Sequence, residues 1–94
     1  MSQEVNNLIG LDNIQRSAEE EQSLNESFSI AFSTPTGVKV LEYLRSISIE
    51  TVGGPQIGKD HLMHLEGQRY IVGLIQRRVN KGKSQKIVKD KSNE

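Results

Sequence analysis

The sequence predicts an all-α protein, a small three-helix domain with flexible charged tails at both ends. Apolar residues recur at helical spacing in three separate stretches of the chain. Residues that typically begin or end helices bound each stretch, whereas strand-like alternation is weak throughout. The predicted organisation is a flexible segment over residues 1–17, the helical domain over 18–82 and a flexible basic tail over 83–94.

The composition allows one small domain with a thin core. The chain has 94 residues, of which 34% are apolar, and no cysteine. Domains of this size need support from disulfides, metals or partners, and without cysteine the remaining support is docking or self-association. No apolar stretch reaches the ~20 residues that are needed to cross a membrane. The sequence also lacks the basic region followed by an apolar run that is typical of a signal peptide. We therefore expect a cytoplasmic protein with no membrane partner.

The first helix is predicted over about residues 18–32. Ser17 and Glu20 have the spacing of a capping box, and three consecutive glutamates stand in the first turn, where the helix dipole favours negative charge. Leu24, Phe28 and Ala31, with Phe32 beside them, form its apolar stripe.

The second helix is predicted over about residues 35–48. Thr34 precedes a proline and so leaves the first helix, and it can cap the next one with Pro35 at the first position. One face of this helix is apolar and is formed by Val40, Leu41, Leu44 and Ile47.

The third helix is predicted over about residues 61–81, antiparallel to the second, after a loop that contains Gly53-Gly54-Pro55. Asp60 is expected to cap this helix and Gly82 to end it. With the other two helices it should form a core of Phe28, Phe32, Leu41, Leu44, Leu65, Val72 and Ile75, and Val79 extends its stripe.

The stretch DHLMHLEGQR, residues 60–69, carries the densest chemistry in the chain. His61 and His64 share a helix face, but zinc needs further ligands, and the sequence has neither a third histidine nor a cysteine. Glu66 and Arg69 are spaced as an i,i+3 surface pair. We expect no metal, no cofactor and no enzymatic activity.

Glycines mark a candidate protein interface in the third helix. Gly67 and Gly73 weaken a helix, so their expected use is to let another helix pass closely. Gln68 and Tyr70 lie beside them and complete the candidate interface.

Charge is segregated along the neutral chain. Residues 1–32 have six acidic and one basic residue, a net of −5, and residues 76–94 have seven basic and two acidic residues, a net of +5. A basic tail can bind phosphate backbones or an acidic partner, and it can equally remain solvated or fold back on the acidic end of the chain. Binding to phosphate backbones gives the alternative function, nucleic-acid binding. The connection between helices two and three is too long for a helix-turn-helix, and the tail lacks aromatics for base stacking. The candidate nucleic-acid contacts are Arg77, Arg78, Lys81, Lys83 and Lys86.

The segments SFSIAFSTPTGVKVLEYLRSI and HLMHLEGQRYIVGLIQRRV resemble a family of small tailed-phage and prophage proteins, over about residues 26–80. The shared pattern is a short Phe-rich helix, a turn with Thr, then Pro or Asp, any residue and Gly, a VLxxLR helix and a later EGQRxxVxxI helix. Members have no assigned activity, and their genes stand among those for heads, portals and tails. The resemblance implies a non-catalytic structural or virion-assembly accessory protein in the host cytoplasm or virion. Its partners would be head, portal or tail proteins or a second copy, with weak non-specific nucleic-acid binding from the tail.

Overall fold

The computed structural model describes the backbone of residues 7–92 and the side chains of residues 7–86. A two-stranded hairpin, β1 (Asn7–Ile9) and β2 (Gln15–Ser17), precedes three helices. These are α1 (Ala18–Ser33), α2 (Pro35–Ser46) and α3 (Lys59–Ser92), so the prediction of a small all-α domain is confirmed. No helix within residues 7–92 is long and apolar enough to cross a membrane.

The hairpin corrects the prediction that residues 1–17 form a flexible segment, of which residues 1–6 lie outside the described part of the chain. β1 and β2 pair antiparallel, with Leu8 opposite Arg16. The Asp12 carboxylate accepts a hydrogen bond from the Ile14 N–H at 3.1 Å, and Asn13 has a positive φ of 69°. Asp and Asn favour this turn because their side chains bond the nearby backbone and tolerate the left-handed region.

The caps of α1 and α2 form as predicted. The Ser17 hydroxyl accepts from the Glu20 N–H at 3.1 Å, and the Glu20 carboxylate accepts from the Ser17 N–H at 3.0 Å. Thr34 is the single residue between the two helices, and its hydroxyl accepts from the Gly37 N–H at 2.9 Å. Gly37 is buried at this junction, where a β-carbon would overlap the Ala31 carbonyl.

Arg69 of α3 fixes the segment that follows α2. Its guanidinium donates to the Ser48 carbonyl at 3.1 Å and to the Thr51 carbonyl. It also pairs with Glu66 at 2.7 Å, which confirms the predicted surface pair. Arg45 of α2 donates to Gln76, and the Ser48 carbonyl just after α2 accepts from Arg69, which lies earlier in α3, so the two helices are antiparallel as predicted.

Both predicted boundaries of α3 are wrong. The helix begins at Lys59, so Asp60 stands in its first turn and is not the cap. Gly82 does not end the helix, which continues to Ser92. Gly82 is buried where α1 crosses, and a β-carbon there would lie 2.5 Å from Ser29 Cβ and would overlap the Asn25 carbonyl. Gly82 therefore allows α1 and α3 to pack closely. Residues 83–92 belong to α3.

The core is thin, as the composition predicts. Leu41, Val72 and Val79 form a buried cluster, and Leu65 is buried separately. Four of the seven predicted core residues are only partly buried against this cluster, namely Phe28, Phe32, Leu44 and Ile75. Val40 and Ile47 belong to the predicted apolar face of α2 but are exposed. On α2, Gly37 and Leu41 are buried and Leu44 and Arg45 are half-buried, so the buried stripe of this helix is narrow.

Candidate functional site: an apolar groove between α2 and α3

The first half of α3 keeps a side that no other helix covers. α1 packs against the second half of α3, where Asn25 meets Arg78, Gly82 and Gln85. α1 has 16 residues and α3 has 34, so one helix cannot cover the other along its whole length. The contacts between α2 and α3 are far less extensive than those between α1 and α3.

An apolar groove of about 610 Å³ lies between the end of α2 and this uncovered half. Its volume falls within the range of sites that accept apolar ligands or partner side chains. Met63, Ile71 and Ile47 line it and are each about half exposed or more. Asp, Glu, Lys and Arg are all absent from the lining, which consists of Leu44, Ile47, Ser48, Met63, His64, Gly67, Gln68, Ile71 and Val72.

The structure separates the four predicted interface residues. Gly67 and Gln68 line the groove, whereas Tyr70 is exposed beside it and Gly73 is half-buried elsewhere on α3. The space next to Gly67 and Gly73 is empty, because no atom of the described chain lies within 4 Å of a β-carbon built at either position. No helix of the described chain uses this space, so the expectation that these glycines admit a neighbouring helix stays a prediction.

The groove also has a polar rim. The Ser48 side chain is buried and donates to the Leu44 carbonyl at 2.6 Å, so its hydrogen-bonding capacity is largely used. His64 and Gln68 are exposed at the other edge, and each offers both a donor and an acceptor. An apolar floor with a polar edge is the usual anatomy of a protein interface.

His61 and His64 are both exposed on α3. Within the described residues, no three His, Asp or Glu side chains are grouped so that they could hold a metal ion.

Arg78 must be removed from the candidate nucleic-acid contacts. Its side chain is 2% exposed and forms a buried ion pair with Glu21, so it cannot reach a phosphate. Arg77, Lys81, Lys83 and Lys86 are exposed. At about 100° per residue, Arg77 and Lys81 point to one side of α3 and the other two lysines to another, so the four do not form one basic stripe.

A buried polar cluster around Arg78 joins the hairpin, α1 and α3. The Arg78 guanidinium donates to Glu21 at 3.0 Å and to the Asn25 side-chain oxygen at 2.7 Å. Its Nη2 atom lies 3.4 Å from the Asp12 carboxylate and has no hydrogen-bond partner among the described residues. Arg16 completes the cluster with two bonds to Asp12, at 2.9 and 3.0 Å, and one to Glu21 at 2.8 Å.

Both carboxyls of this cluster ionise more readily than usual. The Arg16 hydrogen bond lowers the pKa of Asp12 well below its ordinary value. For Glu21, burial favours the neutral form, but the Leu11 N–H and the guanidinium groups of Arg78 and Arg16 together outweigh it and lower the pKa. The cluster is a structural ion-pair network, and sequence reasoning missed it. The i,i+4 spacing of Asp12 and Arg16 was the one local pattern that pointed to it.

No protein-family model, curated protein or solved structure matches this chain. A functional hypothesis therefore rests on the groove and on the resemblance of residues 26–80 to the prophage family.

Proposed function

We propose that this chain is a non-catalytic phage structural or virion-assembly accessory protein that acts through protein–protein contacts made at the α2–α3 groove. The observation that carries the proposal is the uncharged, apolar lining of that groove on an exposed face. The phage context comes from the resemblance of residues 26–80 to the prophage family.

The chemistry of the groove favours a protein as its ligand. Exposed Met63, Ile71 and Ile47 lose unfavourable contact with water when a partner covers them. A contiguous exposed apolar patch with a polar rim typically marks an interaction site. A phosphate backbone finds no cation in this lining, so the groove does not suit nucleic acid.

Arg78, one of the candidate nucleic-acid contacts, is buried and so does not support the nucleic-acid alternative. With Arg78 committed to Glu21, the exposed cations are spread around α3 and would bind DNA only through charge. Such binding weakens steeply as salt increases. Apolar docking does not, because burial is not screened by ions.

The test is complementation of a phage from which the gene for this chain has been deleted. Wild-type protein should restore particle yield, and Ile71→Glu should not, because it places a charge in the groove. Ile30→Glu is the matched control, since Ile30 is 72% exposed on α1 and outside the groove. Both variants should melt at the wild-type temperature, because neither side chain belongs to the core.

Two results would count against the proposal. One is a normal particle yield without the gene, together with the absence of the protein from particles and assembly intermediates by mass spectrometry. The other is full complementation by Ile71→Glu and failure of a variant with Arg77, Lys81, Lys83 and Lys86 all changed to Ala. That outcome would favour the nucleic-acid function.

A further inference from the structure

The exposed side of α3 has the pattern of a surface that pairs with itself. Met63 lies four residues before Gly67, and Ile71 lies four residues after it. Both side chains are more than half exposed. Three residues before and after Gly67 stand His64 and Tyr70, also exposed. If two copies of α3 cross antiparallel at Gly67, Met63 meets the partner's Ile71 and His64 meets the partner's Tyr70. A two-fold interface requires this self-complementarity.

Gly67 provides the space for such a crossing. A β-carbon at Gly67 would meet no atom within 4 Å, so the backbone of α3 is open to close approach there. The space next to Gly82 of the same helix is occupied, because a β-carbon there would overlap the Asn25 carbonyl of α1. Gly82 and Gly67 lie within about 60° of each other around the helix, so they face similar directions. The side that α1 occupies at Gly82 is therefore vacant at Gly67.

We infer that the groove and the exposed side of α3 around Gly67 bind a second copy of this chain, giving an antiparallel two-fold dimer. This inference rests on the proposed function, because it names the partner for the same groove. The thin core supports a second copy as the occupant. The Cα trace measures only 15 Å along its shortest axis, and four apolar side chains are buried in the described part of the chain. Small domains of this kind commonly complete their stability by association.

The size of the face sets the expected affinity. The uncovered half of α3 is about 24 Å long, and with α2 the face is about 20 Å wide. Two such faces would bury on the order of 1,000 Å² in total, at the lower limit for specific interfaces. We therefore expect a dimer with a Kd in the micromolar range, so that monomer and dimer are both populated in a concentration series.

Cysteine cross-linking tests the position of the two-fold axis. The chain has no cysteine, so Gly67→Cys introduces one thiol per copy. In the dimer this thiol lies beside its symmetry mate, where a disulfide can form under mild oxidation by diamide. Gly73→Cys is the matched control: it is also a helical glycine with open space, but on a different side of α3. Gly67→Cys should cross-link at least about tenfold faster than Gly73→Cys, consistent with the steep distance requirement for disulfides.

Sedimentation velocity of the full chain tests the face itself. Wild-type protein and Ile30→Glu should dimerise alike, and Met63→Lys and Ile71→Glu should each weaken the dimer roughly tenfold or more. A wild-type chain that stays monomeric up to about 200 µM overturns the dimer. Complementation that still depended on Ile71 would then keep the proposed function and assign the groove to a different protein. A dimer that neither substitution weakens, with equal cross-linking at positions 67 and 73, overturns the assignment to this face.

Discussion

The guanidinium of Arg78 donates to the carboxylate of Glu21 at 3.0 Å, across 57 positions of sequence, and is 2% exposed. This contact ties the middle of α3 to the first turn of α1. The hairpin joins the same cluster through Asp12 and Arg16. The N-terminal hairpin is therefore part of the folded unit, and its removal would leave Arg78 without one of its two carboxylate partners.

We predict that Glu21→Gln lowers the free energy of unfolding by about 3 kcal/mol, because breaking a buried ion pair leaves the charge of Arg78 undercompensated. Glu19→Gln is the control, since Glu19 is exposed in the same helical turn and should change stability by no more than about 0.5 kcal/mol. Urea denaturation of the two variants measures the difference. Equal midpoints would show that the cluster does not stabilise the fold.

Stability should fall in acid because of the same cluster. Both Asp12 and Glu21 have a lower pKa in the folded chain than their ordinary values of 3.8 and 4.5, so on acidification the unfolded chain binds protons first. Their contribution is complete above the ordinary values and is lost as the pH falls through the lowered ones. Denaturation midpoints from about pH 7 to pH 3 should therefore decline less for Asp12→Asn/Glu21→Gln than for wild type. Parallel declines would contradict the assignment.

Two of the three glycines of α3, Gly73 and Gly82, should respond to alanine in opposite directions. Gly73→Ala should stabilise the protein by about 0.4–1 kcal/mol, because alanine favours the helix and the added methyl group meets open space. Gly82→Ala should destabilise it, since the β-carbon would overlap the Asn25 carbonyl and force α1 away from α3. Thermal melting of both variants gives the comparison. A stabilising Gly82→Ala would mean that α1 does not approach α3 so closely.

Leu41 and Val40 provide a test of the register of α2. Leu41→Ala should cost about 2–5 kcal/mol, because Leu41 is 7% exposed in the core. Val40→Ala should change stability by less than about 0.5 kcal/mol, because Val40 is 45% exposed. Similar losses from the two neighbouring substitutions would argue for a different rotation of α2.

The position of Gln85 predicts how far the C-terminus can be shortened. Gln85 accepts from the buried Asn25 side chain at 2.9 Å and donates to the Gln22 carbonyl at 3.1 Å. Ending the chain after Gly82 should therefore cost about 1–3 kcal/mol relative to ending it after Lys86, because the buried side-chain N–H of Asn25 loses the Gln85 acceptor. Circular-dichroism melts of the two truncated chains measure this. Identical melting temperatures would show that α3 beyond Gly82 adds no stability.

Local patterns in the sequence predict local structure well in this chain. The capping box of Ser17 and Glu20 and the Thr34-Pro35 junction form as expected, because each depends on residues within one helical turn. The hairpin turn was also open to prediction, since Asp12-Asn13 between Leu8-Ile9 and Ile14 is a recognised turn pattern. It was missed because the flanking strands have only three residues each.

The incorrect predictions involve residues whose environment is formed by distant parts of the chain. Gly82 has the sequence context of a helix end, and only its contact with Asn25 shows that it serves close packing. Arg78 stands among exposed cations and is indistinguishable from them until Glu21 is placed beside it. For the groove, the sequence indicated Gly67 and Gln68 but not Ile47, which was placed on the apolar face of α2 and not in an interface.

The junction at Thr34 constrains how the length of this chain can vary. One residue separates α1 from α2, so an inserted residue there would rotate α2 by about 100° about its axis and turn Leu41 away from the core. The segment from Gly53 to Gly58 lies beyond the anchor that Arg69 makes with Thr51 and ends just before α3. Insertions and deletions in relatives of this chain should therefore accumulate between those two glycines, while the spacing from Phe28 through Pro35 to Leu41 stays constant.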